Sequence, residues 1–119
     1  MFEVLPLSTD ATLAVHFSGK VTGPEYQQFL EAIEPRLKAG GKVNVVFDLT
    51  GAEFYGDFAA AKKDWTFGFG EYQQLHRAAF VGDQKWIELF TAVIGPLTRV
   101  EEKHFPAGQL DQALAWASA

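Results

Sequence analysis

The residues best suited to acid–base or metal chemistry are His16, His76 and His104, and they fall in three separate stretches of the chain. No two histidines stand four apart, and no HExxH motif is present, so a metal site would need them to converge in space with Asp or Glu. The serines are Ser8, Ser18 and Ser118. None lies in a strand–turn–helix elbow of the kind that exposes a nucleophile. Gly68-Phe69-Gly70 has neither the third glycine nor the following lysine of a phosphate-binding loop. Asp48 with Asp57, and Glu101 with Glu102, carry no spacing that marks a paired-carboxylate centre. Cysteine is absent, which removes disulfides, thiolate zinc sites, iron–sulfur clusters and thiol nucleophiles together. The residues therefore point to a protein that is not an enzyme and carries no cofactor.

What remains is a candidate binding region in the middle of the chain. Val43 to Leu49 is an apolar run broken by Asn44 and Asp48, preceded by Gly40-Gly41. It reads as a strand buried on both faces, hence a central parallel strand. A carboxylate inside such a strand is costly unless hydrogen-bonded, so Asp48 is expected at the carboxyl end of the strand, accepting loop N–H groups. A loop follows, Thr50 to Gly56, and then a helical pattern from about Asp57 to Leu75. Phe58, Ala61, Trp65, Phe69 and Tyr72 share one face of that pattern and are most simply core. Phe67, Lys62 and Lys63 project off it, close to the glycines Gly68 and Gly70, each of which costs about 1 kcal/mol in a helix interior. An off-face aromatic flanked by lysines and glycines could form a lid over an apolar pocket lined by Phe54, Trp65, Phe67 and Trp86, with Tyr55 and the lysines placing a ligand's polar end, or an edge making weak, reversible membrane contact. Lys85 and Trp86 lie beyond the next strand and could close the same site. Asp57 stands where a carboxylate caps a helix and is favoured by its dipole.

The elements that position this region can be read in order. Phe2–Leu7 and Thr12–Phe17 form a hairpin around Ser8-Thr9-Asp10-Ala11, with Pro6 placing the first strand at an edge. Thr22 and Glu25 make a capping box for a helix with Tyr26, Phe29, Leu30, Ile33 and Leu37 inward, ended by Gly40-Gly41. Pro35 inside it should kink the helix near Glu31 or split off a final turn. Arg77–Gly82 is a buried strand, and Asp83 can cap a third helix, whose wide apolar stripe includes Trp86, Ile87 and Phe90. Thr98–Phe105 is a more polar edge strand, followed by a C-terminal helix with Leu110, Ala113, Leu114 and Ala117 inward. The order ββαβαβαβα implies an α/β fold with a mixed, mostly parallel sheet, an N-terminal hairpin and right-handed βαβ crossovers.

At 119 residues this is a single domain, 1–119, with no repeat or linker that would divide it. Eleven Phe and three Trp supply enough large apolar surface that the core needs neither metal nor disulfide. A net charge of −5 argues against nucleic acid, whose binding rests on clustered Lys and Arg. No apolar run reaches the roughly 18–20 residues of a membrane span. Glu3 near the start is unlike a signal peptide, so the expected compartment is the cytoplasm.

The motifs FDLTGAEF, KKDWTFGF, RAAFVGDQKW, KHF and ALAW, in this order between Val43 and Trp116, resemble the SpoIIAA-like branch of STAS domains, small stand-alone bacterial proteins. The resemblance implies a regulatory or binding role. In the anti-sigma-factor antagonists of that group, a serine at the start of the helix after this strand is phosphorylated and controls partner binding. The corresponding segment here is Phe54-Tyr55-Gly56-Asp57-Phe58, and no Ser or Thr lies between Thr50 and Thr66. The usual phosphorylatable serine is absent. The expected activity is therefore docking of a partner protein through the loop Thr50–Asp57 and the helix after it. The alternative is a small apolar or amphipathic, lipid-like ligand in the same region, whereas a flat exposed apolar face would favour a partner or a homodimer.

Overall fold

The computed structural model describes residues 1–9, 11–20, 23–53, 74–85, 87–88, 92 and 100–119. Among these residues the main sheet has five strands in the order β1-β2-β4-β6-β7, formed by β1 (Phe2–Val4), β2 (Thr12–Phe17), β4 (Asn44–Asp48), β6 (Arg77–Val81) and β7 (Glu101–Phe105). Only β1 runs antiparallel to its neighbour; β2, β4, β6 and β7 are mutually parallel. The Val-rich run therefore does form the central strand, and the sheet is mixed and mostly parallel as expected. Two further strands, β3 (Gly19–Lys20) and β5 (Ala52–Glu53), make a small parallel pair beyond the main sheet. At two residues each, they are too short to leave a periodic signal.

The first strand is shorter than the apolar run Phe2–Leu7 suggests. Its pairing stops because the chain turns at Pro6: Ser8 N–H and its hydroxyl both donate to Leu5 O, at 3.1 and 2.8 Å. Proline suits the second position of such a turn. The Ser8 hydroxyl also accepts Ala14 N–H at 3.0 Å, and Thr9 Oγ1 accepts Thr12 N–H at 3.1 Å. The hairpin loop thus satisfies backbone groups that no strand partner reaches. The last strand likewise begins at Glu101, with Thr98 and Arg99 outside the described residues.

Helix α1 (Gly23–Ala39) runs as one element through Pro35, so no final turn is split off. Proline removes one intrahelical hydrogen bond at a cost of about 3 kcal/mol. Packing on both sides of it outweighs that cost, since Ile33 is buried before it and Leu37 packs on the core after it. Gly40 and Gly41, at φ +80° and +87°, end the helix in the left-handed conformation that glycine adopts freely. Thr22 of the expected capping box lies outside the described residues. Glu25 forms an ion pair with the Met1 amino group at 3.0 Å, and that amino group also donates to Ser18 O.

The parallel strands bury both faces. Leu13, Val15, Phe17, Val45, Ala78 and Phe80 point to the side of α1, with Phe29, Ile33 and Ile87 against them. Rings there contact in sequence from Phe2 to Phe17, Phe29, Phe47 and Phe80, at centroid separations of 5.0, 6.3, 5.2 and 5.1 Å. On the other side the C-terminal helix (Leu110–Ser118) lays Ala113 and Ala117 over Ala14, Val46, Ala79, Val81 and Phe105. Alanine facing alanine lets this helix approach closely, and Leu110 and Leu114 fill its flanks as the sequence pattern predicts.

Candidate functional site

In an open α/β sheet, ligands bind beyond the carboxyl ends of the parallel strands. Here that edge carries Asp48 at the end of β4 with residues 49–53 after it, 82–84 after β6 and 106–107 after β7. The first of these is a tight turn. Ala52 N–H donates to Leu49 O at 2.9 Å, and Gly51, third of the four residues, has φ +79°. This is the position at which a type II turn requires glycine.

Side chains from two directions and backbone from a third hold the turn. Asp48 Oδ1 accepts Thr50 N–H at 3.1 Å, and His16 Nε2 donates to Thr50 O at 3.1 Å. His16 and Asp48 are register partners on adjoining strands, so one residue's backbone is gripped at both its donor and its acceptor. Asp48 thus sits at the strand end and binds a loop N–H, the arrangement that makes a carboxylate tolerable there. On the β2 side, Gly19 N–H donates to Gly51 O at 2.9 Å, and β3 pairs with β5 through Gly19–Ala52 and Lys20–Glu53. On the β6 side, Gln84 Nε2 donates to Leu49 O at 2.7 Å and to Ala52 O at 3.0 Å.

The neighbouring loops are fixed in the same manner. Asp83 Oδ1 accepts Ala107 N–H at 3.0 Å, Gly82 N–H donates to Phe105 O at 3.0 Å, and His104 Nε2 bonds Gly82 O. His104 Nδ1 lies 3.9 Å from Glu88. Between these loops runs a shallow, open cleft of about 440 Å³, lined by Thr50, Gly51, Ala52, Asp83, Gln84 and Ala107. Thr50, Gly51, Ala52 and Ala107 contribute only small side chains to its walls. No group of three His, Asp or Glu placed to hold a metal occurs among the described residues. His16 and His104 each use Nε2 on a backbone carbonyl.

Of the residues the sequence singled out, Asp48 holds the turn, and Lys85 is exposed on helical backbone directly after Gln84. The central loop and the segment around Lys85 do share one edge of the sheet. Phe54, Tyr55, Asp57, Lys62, Lys63, Trp65, Phe67 and Trp86 lie outside the described residues. Sequence reasoning missed Gly82, Gln84 and Ala107, and weighed His16 only for acid–base or metal chemistry. The glycine directly after a buried strand was the available signal for Gly82, whereas the roles of His16 and Gln84 depend on contacts 34 and 35 residues away.

The opposite end of the strands differs. Thr12, Asn44, Arg77 and Glu101 stand in one register row across the sheet. Thr12 Oγ1 pairs with Ser118 Oγ at 3.1 Å, and Asn44 Nδ2 donates to Thr12 Oγ1 at 3.4 Å. Arg77 donates to Trp116 O at 2.6 Å, lies 5.2 Å from that indole's centre, and pairs with Glu101 at 3.2 Å. It thereby adds a charged donor to a last-turn carbonyl of the C-terminal helix that, among the described residues, otherwise accepts only the Ala119 N–H at 3.4 Å. In the last turn of α1, the exposed Lys38 ammonium is raised above its usual pKa by its hydrogen bond and charge interaction with Glu34.

The SpoIIAA-like family profile matches residues 12–118, nearly the whole chain. The chain belongs to the SpoIIAA-like family. Its fold is similar to that in the crystal structure of an uncharacterized protein of the DUF3478 family with a SpoIIAA-like fold from Shewanella loihica PV-4. The TM-score is 0.73 at 24% identity, covering 98% of this chain and 92% of the other. That likeness is one of fold alone. No curated protein sequence matches the chain significantly. SpoIIAA-like domains are typically regulatory or binding modules. No helix among the described residues is long and apolar enough to cross a membrane.

Proposed function

We propose that this SpoIIAA-like domain is a non-enzymatic binding module that docks a partner protein on the carboxyl edge of its sheet, through the turn after β4 and the chain that follows it. The observation that carries this reading is the triple hold on residues 49–52 by His16 with Asp48, by Gly19, and by Gln84. A surface already ordered in the free protein binds with a smaller entropic cost than one that must be ordered on contact. The cleft beside it is open and walled by small residues, which suits an extended segment of another chain better than an enclosed small molecule. With no serine or threonine between Thr50 and Thr66, docking here is not switched by phosphorylation at the usual position.

Site-specific photo-crosslinking in cells tests this. A crosslinker at Thr50 or at Asp83, both exposed, is expected to trap the same protein, and one at Glu101 on the far end is expected not to. Equal trapping from all three positions, or none from the first two, would refute the docking edge. The small apolar ligand remains the competing reading. Native mass spectrometry of protein purified from cells would favour it by showing an excess mass that disappears on denaturation.

A further inference from the structure

We infer that Gln84 is the positioning residue of the docking turn, acting through both hydrogens of its carboxamide nitrogen; this rests on reading the turn as the docking element. A carboxamide nitrogen has two N–H groups. Gln84 directs one to Leu49 O at 2.7 Å and the other to Ala52 O at 3.0 Å, the first and last residues of the turn. Leu49 O also accepts the Ala52 N–H that closes the turn, so the closing bond and the strut share one acceptor. Both acceptors are main-chain carbonyls, and neither could be satisfied by another acceptor.

The strut is itself held. A Cβ built at Gly82 would fall 2.4 Å from Gln84 Oε1 and 2.8 Å from Ile87 Cδ1. The carboxamide therefore folds back over bare backbone, beside an isoleucine that is fully buried in the core. Next to it, Asp83 anchors Ala107 at the end of β7. Residues 82–84 thus brace the β4 turn against the core and tie it to the third wall of the cleft. The chemistry required is narrow. Methionine matches the length without donors. Glutamate matches the shape but presents a carboxylate to two carbonyl oxygens, and only its protonated form has a hydrogen to give.

The test compares Gln84→Met and Gln84→Glu with the unaltered protein by residue-resolved amide exchange, expressed as protection factors. At pH 7 both variants should lose about tenfold protection at Ala52 and Gly19, as expected for one or two hydrogen bonds. Val45 and Val46 in the central strand should keep theirs. At pH 4.5 Gln84→Glu should regain several-fold protection at Ala52, and Gln84→Met should regain none. Identical behaviour of the two variants at both pH values would overturn the strut, as would a loss spread evenly into the central strand. Crosslinking from Thr50 separates the two claims. A released turn with unchanged trapping upholds the strut and counts against the docking reading. Unchanged protection with lost trapping overturns the strut and leaves docking standing.

Discussion

The two ends of the same four parallel strands use polar side chains in opposite ways. At the amino end, Asn44 bonds to Thr12 and Glu101 pairs with Arg77, while Thr12 and Arg77 bond to the close of the C-terminal helix. Thr12 and Asn44 are buried, and Arg77 is covered by Trp116. At the carboxyl end, His16, Asp48, Asp83, Gln84 and His104 all bond to loop main chain, and an open cleft lies beside them. The first pattern locks a helix to the sheet. The second shapes loops and leaves room beside them. The difference teaches that polar residues here serve stability at one end and surface geometry at the other, although both sets sit on or directly after shared strands.

Substitutions at the two ends should therefore separate stability from docking. The largest stability loss is expected from Arg77→Met, which removes the bond to Trp116 O, the stacking on its ring and the pair with Glu101. About 2–3 kcal/mol should be lost in denaturant unfolding, typical for a bond made by a charged group in a part-buried site, while crosslinking from Thr50 persists in the folded fraction. A loss of that trapping in fully folded protein would erase the distinction between the ends.

Gly82→Ala should cost somewhat less, about 1–3 kcal/mol, because the new methyl overpacks against Gln84 and Ile87. Its signature is expected at the carboxyl end: amide protection at Ala52 should fall further than at Asn44 or Arg77. A uniform loss would show that Gly82 serves the core alone. The smallest stability effect belongs to Thr50→Ala. Its side chain is exposed and the turn is held through its backbone, so unfolding should change by less than about 0.5 kcal/mol. Partner affinity is where this change should register, and a stability loss above about 1 kcal/mol would place Thr50 with the amino-end residues.

Much of the frame was legible in the sequence. Val43–Leu49 announced a central strand because residues buried on both faces leave a continuous apolar run, and the α1 pattern survived Pro35 because Ile33 and Leu37 still reach the core. The carboxylate of Asp48 was placed correctly by cost alone, since an acid within such a run has to find donors nearby. The small β3–β5 pair was not legible, being two residues per strand. Nor was the strut from Gln84, whose partners are fixed by the packing of β4 beside β6 and leave no local pattern. The aromatic residues Phe54, Trp65, Phe67 and Trp86, on which the pocket alternative rests, lie outside the described residues.

The most direct test of the account is a footprint. The amide resonances of the domain would be followed while the protein trapped from Thr50 is titrated in. The account predicts shifts gathered at Thr50, Gly51, Ala52, Asp83, Gln84 and Ala107, with Thr12, Asn44, Arg77 and Glu101 unmoved. A footprint centred on Arg77, Glu101 and the C-terminal helix, with the β4 turn undisturbed, would contradict it.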